Sequence, residues 1–130
     1  MSITWPVVTA VALGSAFGGV SRYWLRESLP QWIKFDFPLS TLLVNVVGCL
    51  LAGVFMVYWQ NSSVSPAIKT GVLIGFFGAF TTFSAFSADS WLLIQQDEYI
   101  KAGINIVLNM TLSLVAVFFG AWIGGKIAAN

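Results

Sequence analysis

The stretch GFFGAFTTFSAFS, from Gly75 to Ser87, is apolar enough to lie in a bilayer, yet glycine and hydroxyl residues interrupt it at mid-length. We predict that a membrane helix breaks there, at Gly78, Thr81 and Thr82. Backbone groups freed in hydrocarbon are costly, so non-helical backbone persists at membrane depth only where protein or a wet cavity surrounds it. The stretch therefore predicts an ion or solute site near the membrane midplane.

The composition is that of an integral membrane protein. Of the 130 residues, 58% are hydrophobic and 8% are charged, which excludes an ordinary soluble domain. A transmembrane helix needs about 20 apolar residues. The sequence predicts four such spans, at about Ile3 to Tyr23, Leu39 to Tyr58, Pro66 to Ile94, and Ile100 to Ile127. They nearly fill the chain, so residues 1–130 are predicted to form one all-α, four-helix transmembrane domain with the third helix broken.

Aromatic residues with a polar edge lie near the predicted span ends, where such rings favour the headgroup layer of the lipid bilayer. They are Trp5, Tyr23, Trp24, Trp32, Tyr58, Trp59, Trp91 and Tyr99. The N-terminus lacks the basic region and the small-residue cleavage site of a signal peptide, so we expect the first span to be retained.

The charges are few and weakly biased. A net charge of +1 without a basic cluster argues against nucleic acid as a partner. Lys and Arg near span ends set orientation. One predicted side carries Arg22, Arg26, Lys34 and Lys101, and the other carries Lys69 and Lys126. This weak bias predicts insertion in both orientations, and two opposed copies would form an antiparallel dimer. The single Cys49 can form no intrachain disulfide.

Small residues at helical spacing predict close contacts between helices. They are Ala10, Gly14 and Gly18 in the first span, Gly71 and Gly75 in the third, and Gly120 and Gly124 in the fourth. Packing explains these positions without any chemistry.

Polar side chains inside the spans are costly in hydrocarbon and indicate function. Thr41 and Asn45 lie four residues apart and share a helical face. Asn105, Asn109 and Ser113 repeat at the same interval in the fourth span, which predicts a wetted polar track. A lone intramembrane asparagine such as Asn45 is explained equally well as a hydrogen-bonding contact between helices.

Two phenylalanines follow the predicted break. Phe83 and Phe86 share a helical face, and the hydroxyls of Thr82 and Ser84 flank them. The edge of a phenyl ring is positive, so a ring turned edge-on favours an anion. Amide, hydroxyl and ring-edge groups without a fixed charge suit the moderate, multi-site binding that conduction requires. Such a phenylalanine pair is usually core packing, but the neighbouring break favours an anion pathway.

Three segments together resemble the Fluc (CrcB) fluoride channel family. They are Gly18-Gly19 followed by Arg22-Tyr23, the run TLLVNVVG from Thr41 to Gly48, and the run GFFGAFTTFSAF from Gly75 to Phe86. The resemblance implies an ion channel, not an enzyme. It implies an antiparallel, dual-topology homodimer that passively exports toxic fluoride and rejects chloride. The location implied is the cytoplasmic (inner) membrane of a bacterium, where the protein would confer fluoride resistance.

The resemblance also implies roles for residues. Asn45 would donate its amide to fluoride, while Phe83 and Phe86 would present ring edges. The full pathway would comprise Thr41, Asn45, Thr82, Phe83, Ser84, Phe86, Asn109 and Ser113.

Two charged species complete the site that the resemblance implies. Arg22 would lie at the pore vestibule and concentrate anions, although a side chain snorkelling to the membrane surface explains it equally well. A structural Na⁺ at the dimer interface would be held by the backbone carbonyls of Gly78 and Thr81 from both copies.

The sequence departs from the family's pattern at Ala85, where threonine is commoner, and at Asn105 and Asn109, where tyrosine and serine are expected.

Two other functions suit a chain of this size. A small multidrug antiporter needs a membrane-embedded glutamate, which the predicted spans lack. A non-conducting scaffold would be better served by an unbroken helix.

Overall fold

The computed structural model describes residues 3–130, which form helices and contain no strand. The elements are α1 (Trp5–Trp32), α2 (Leu39–Tyr58), α3 (Pro66–Thr70), a π-helical segment (Gly71–Phe77), α4 (Gly78–Phe80), α5 (Phe83–Gln95) and α6 (Tyr99–Ala128). Within these residues, three helical segments are long and apolar enough to cross a membrane: α2, α6 and Pro66–Gln95, here called the broken span.

The predicted bounds are correct for α2 and nearly so for α6 and the broken span, but the predicted end of the first helix is wrong. We predicted an end at Tyr23, whereas α1 continues to Trp32. Its arginines bond to the broken span: Arg22 reaches the carbonyl of Ala79 and Arg26 reaches Asp89. Because these charges have partners inside the protein, the helix need not end where they begin, and Tyr23 lies within it.

The break is narrower than predicted. Gly78 has helical dihedrals (φ −63°, ψ −32°), so its predicted place in the break is wrong. The chain is extended only at Thr81 (φ −79°, ψ 157°) and Thr82 (φ −153°, ψ 118°). The Thr82 hydroxyl then accepts a hydrogen bond from Ala85 N at 3.0 Å and caps α5. The break therefore consists of two extended residues, Thr81 and Thr82, between the end of α4 and the capped start of α5.

The small-residue contacts are as predicted. Gly14 faces the carbonyl of Gly71, and Gly18 faces the backbone of Phe76, so α1 packs closely on the first half of the broken span. A Cβ at Gly18 would overlap that backbone, which explains the absence of a side chain there. On the other side of the fold, Gly120 and Gly124 bring α6 against the backbone of α2. These contacts fix the helices around the break.

The Lys and Arg residues lie near the two ends of the helical bundle, with the exception of Arg22. Lys101 Nζ lies 2.6 Å from Asp36 Oδ2, so the start of α6 and the α1–α2 connection share an end. Lys69 bonds to the carbonyl of Ser62 in the α2–α3 connection. Arg22, which we grouped with the end of α1, lies instead beside the break. Without Arg22, three Lys and Arg residues lie at one end of the helical bundle and two lie at the other.

Candidate ion pathway at the helix break

A cleft of about 260 Å³ opens beside the break. Its walls come from α2, the break, α5 and α6, and no charged side chain lines it. The lining residues are Asn45, Cys49, Thr81, Thr82, Phe83, Phe86, Asn109, Met110, Ser113 and Leu114. The fold therefore collects six of the predicted pathway residues at one place, from three helices and the break.

Asn45 holds the break open. Its Oδ1 accepts from Thr82 N at 2.6 Å, and its Nδ2 donates to Thr82 O at 3.0 Å. In a continuous helix Thr82 N would donate to Gly78 O, so the side chain of Asn45 takes the place of that helical bond. Its Nδ2 also donates to Asn109 Oδ1 at 2.9 Å. Both amide hydrogens have protein acceptors, so Asn45 can donate to an ion only in exchange for one of them.

A chain of amides runs from Asn45 along α6. Asn109 Nδ2 donates to Asn105 Oδ1 at 3.0 Å, and Asn105 Nδ2 donates to Ser90 Oγ at 2.9 Å. Asn105 is 0% exposed. The prediction of a wetted track is therefore wrong at Asn105, because that residue makes a dry contact that ties α6 to α5.

The two phenylalanines after the break occupy different environments. Their ring centroids lie 4.6 Å apart with an interplanar angle of 80°, an edge-to-face contact. Phe86 is 6% exposed and Phe83 is 70% exposed. Phe86 therefore forms part of the packed wall, and Phe83 stands at the mouth of the cleft on the outer surface of the fold.

The hydroxyls near the cleft differ in how they are satisfied. Thr82 Oγ1 and Ser84 Oγ lie 3.2 Å apart, and Ser84 is exposed outside the cleft lining. The Oγ of Ser113 is buried beside the thiol of Cys49, a weak hydrogen-bonding group, and has no other hydrogen-bond partner among residues 3–130. A buried hydroxyl with only a weak partner is unfavourable. Ser113 is therefore the group in the cleft best able to donate to an occupant.

Arg22 and Thr41 lie away from the cleft. Arg22 Nε donates at 2.9 Å to Ala79 O, a carbonyl that would accept from Phe83 N if the helix were continuous. A cation is favourable at this carbonyl end of a helix. The Thr41 hydroxyl donates at 2.6 Å to Asp89 Oδ2.

Sequence reasoning gave Asp89 no role, yet it is a buried carboxylate that binds Thr41 away from the cleft. It is 8% exposed and accepts from Thr41 and, at 3.2 Å, from Arg26 NH2. The available signal was its spacing, because Asp89 follows Phe86 by three residues and shares its helical face.

Residues 9–121 match the family model described as CrcB-like protein, Camphor Resistance (CrcB). The chain belongs to the CrcB family. CrcB relatives include the "Fluoride-specific ion channel FluC" of Shewanella sp. (strain ANA-3), 44% identical over 110 residues, which cover 85% of this chain and 89% of that protein. The FluC of Shewanella baltica (strain OS185) gives the same values.

A relative of lower identity matches over a longer stretch of the chain. The FluC of Methylococcus capsulatus (strain ATCC 33009 / NCIMB 11132 / Bath) is 38% identical over 122 residues, which cover 93% of this chain and 54% of that protein. These relatives are named as ion channels and not as enzymes. The predicted family is confirmed, and with its long apolar helices this chain is a multi-pass membrane protein.

Proposed function

We propose that this protein is a fluoride-selective channel that passively exports toxic fluoride across the cytoplasmic membrane of a bacterium. The observation that carries the proposal is the 44% identity, over 85% of the chain, to proteins named fluoride-specific ion channels. The cleft supports it, since its lining offers hydroxyl, amide and ring groups without a fixed charge. Such a lining can replace water around an anion and still release it.

Within the pathway, Phe83 at the mouth of the cleft meets the ion first, and Ser113 meets it further inside. Ser113 supplies a hydroxyl with only a weak protein partner, the thiol of Cys49, and Phe83 supplies an exposed ring whose edge favours an anion. The hydroxyls of Thr82 and Ser84 lie at the start of α5 and extend the polar lining. Asn45 and Asn109 hold the break through their mutual hydrogen bond and donate to the ion by exchange.

The working unit is an antiparallel homodimer. Phe83 is 70% exposed, and Gly78 is exposed with nothing within 4 Å of a Cβ built on it. A second copy in the opposite orientation would cover these residues and close the open side of the cleft. The balance of Lys and Arg between the two ends favours insertion both ways.

A structural Na⁺ would join the two broken spans. Thr82 N donates to Asn45 and not to Gly78 O, which releases that carbonyl from the helical ladder. Residues 3–130 offer no group of three or more His, Cys, Asp or Glu side chains for a metal. Carbonyl oxygens of Gly78 and Thr81 from both copies suit a hard cation, and the ion would fix the breaks against each other.

The test is ion efflux from liposomes that contain the purified protein. Fluoride release is followed with a fluoride electrode under a potassium gradient clamped by valinomycin, and chloride release is the parallel control. We expect fast fluoride release without chloride release. If demonstrably dimeric protein released no fluoride, the proposal would be overturned in favour of a non-conducting scaffold. Efflux that depends on a proton gradient would indicate a carrier, the class to which small multidrug antiporters belong.

A further inference from the structure

The carboxylate of Asp89 is held between a hydroxyl and a guanidinium. Thr41 Oγ1 lies 2.6 Å from Asp89 Oδ2, and Arg26 NH2 lies 3.2 Å from Asp89 Oδ1. The Asp89 side chain is 9% exposed and that of Arg26 is 45% exposed. The hydroxyl of Thr41 has one hydrogen to donate, and Asp89 takes it. The pair thus links α1 to α5 across the end of α2.

Arg26 of this pair borders two spaces, and Asp89 borders the outer one. An outer cavity of about 180 Å³, near the α1–α2 connection, is lined by Arg26, Thr41 and Asp89 together with apolar side chains. Deeper in the subunit, an inner gap of about 10 Å³ is also lined by Arg26 and Thr41, and it reaches Thr82. Thr82 in turn lines the cleft at the break. Arg26 and Thr41 line both spaces, so an anion that used them to travel between this end of the subunit and the break would pass the Asp89–Arg26 pair.

The local charges decide what such an anion meets. Arg22 lines the inner gap with Arg26. Asp36 lines another cavity with Asp89, but Lys101 Nζ lies 2.6 Å from the Asp36 carboxylate and offsets it. Without Arg26, Asp89 would be a buried carboxylate whose closest remaining partner is the neutral Thr41. A buried charge is poorly screened, so it would repel an anion from the inner gap.

We propose that Arg26 is a charge-compensating residue of the pathway: it neutralises Asp89 and so keeps the junction between outer cavity and inner gap accessible to anions. This rests on the proposed function, because it concerns the approach of the conducted anion. Arg26 acts through Asp89, so its role is to set the local potential and not to coordinate the ion. This role makes a specific prediction. Removing Arg26 alone slows fluoride efflux, and removing the charges of both Arg26 and Asp89 restores it.

The experiment compares fluoride efflux from liposomes for Arg26→Gln, Asp89→Asn, the double variant R26Q/D89N and the conservative variant Arg26→Lys. We expect Arg26→Gln to slow efflux by about tenfold or more, and the double variant to return to within about threefold of wild type. Asp89→Asn should be at least as fast as wild type, and Arg26→Lys should keep most of the flux. The matched control is Lys34→Gln, which removes an exposed cation from the same end and should change efflux by less than about twofold.

Each outcome decides the proposal. Wild-type efflux in Arg26→Gln would overturn it, as would a double variant as slow as the single one, since Arg26 would then act through packing. A buried carboxylate left unpaired can prevent folding. If Arg26→Gln gives no folded dimer, a double variant that conducts like wild type supports compensation, and one that is slowed tenfold overturns it. A wild-type protein that releases no fluoride overturns the proposed function and this inference with it.

Discussion

The side chain of Asn45 replaces hydrogen bonds that the backbone of a continuous helix would make to Thr82. It accepts from Thr82 N and donates to Thr82 O, so the residue at the centre of the break keeps both backbone groups satisfied. Only a primary amide offers an acceptor and two donors in this arrangement. The contact explains how two extended residues remain stable in an apolar span.

Asn45→Asp tests this arrangement. The carboxylate loses the donors to Thr82 O and Asn109 Oδ1 and places a negative charge beside the cleft. We expect fluoride efflux to fall by about tenfold or more, since a fixed charge repels the anion, and the free energy of unfolding to fall by about 1–3 kcal/mol because buried acceptors lose their partners. Liposome efflux and thermal unfolding measure the two effects. Asn61→Asp, at an exposed position, is the control, and wild-type efflux in Asn45→Asp would contradict the proposed lining.

Phe83→Ile separates the function of the ring from packing. Phe83 is 70% exposed in the subunit, so its replacement leaves no core cavity, but it removes the ring edge from the mouth of the cleft. We expect fluoride efflux to fall by about tenfold while the dimer remains folded. Phe17→Ile is the matched control, because Phe17 is 69% exposed on α1 and does not line the cleft. Equal efflux from both variants would remove Phe83 from the pathway.

The residues that sequence reasoning found and missed differ in the range of their contacts. Asn45 and the Phe83–Phe86 pair could be predicted from the sequence, because helical spacing and composition identify a polar or aromatic face. The roles of Asp89 and Arg26 could not be predicted, because their partners are defined only by the fold. Asp89 bonds to residues 48 and 63 positions away in the chain.

At the level of the helices, the same distinction explains the errors in bounds. The end of α2 follows from the end of its apolar run, so the sequence predicts it. The end of α1 does not, because Arg22 and Arg26 find partners in the broken span and the helix can continue past them. Gly78 remains helical because the break begins after it. The backbone N–H and C=O groups of Thr82 are the ones that leave the helical hydrogen-bond pattern, and they bond to Asn45 instead. The π-helical segment Gly71–Phe77 has no sequence signal that we recognise.

The contact between α1 and the broken span gives a prediction with an internal control. A Cβ at Gly18 would overlap the backbone of Phe76, whereas one at Gly19 would meet nothing within 4 Å. We expect Gly18→Ala to lower the free energy of unfolding by about 1–3 kcal/mol through overpacking. Gly19→Ala should leave it unchanged or raise it by up to about 1 kcal/mol, since alanine favours the helix. Thermal unfolding of the purified protein in detergent measures both, and equal effects would contradict the close approach of α1.

The whole molecule carries very little information about its orientation in the membrane. Arg22 lies beside the break and bonds to Ala79 O, so it is removed from the count of charges at the ends. The end that includes the α1–α2 connection keeps Arg26, Lys34 and Lys101, and the other end has Lys69 and Lys126. The contact between Lys101 and Asp36 supports the first grouping. The structure therefore makes the bias smaller than the sequence alone suggested, which favours insertion both ways.

This balance can be tipped in either direction by substitutions at exposed positions. The variant Q31K/Q96K adds two positive charges to the end with the α1–α2 connection, and N61K/S63K adds two to the opposite end. Each variant alone should insert in one orientation and lack an antiparallel partner, so fluoride efflux should fall by about tenfold or more. Co-expression of the two should restore efflux, because each supplies the orientation that the other lacks.

The matched control is Q96K/S63K, which adds one charge to each end and should conduct like wild type, because its balance is unchanged. This control separates loss of a partner from any direct effect of added charge on the channel. Wild-type efflux from both biased variants expressed alone would contradict the antiparallel dimer. Weak efflux that co-expression fails to restore would show that the lysines impair the protein itself. Restoration only by the opposite variant requires that two copies in opposed orientations build one conducting unit.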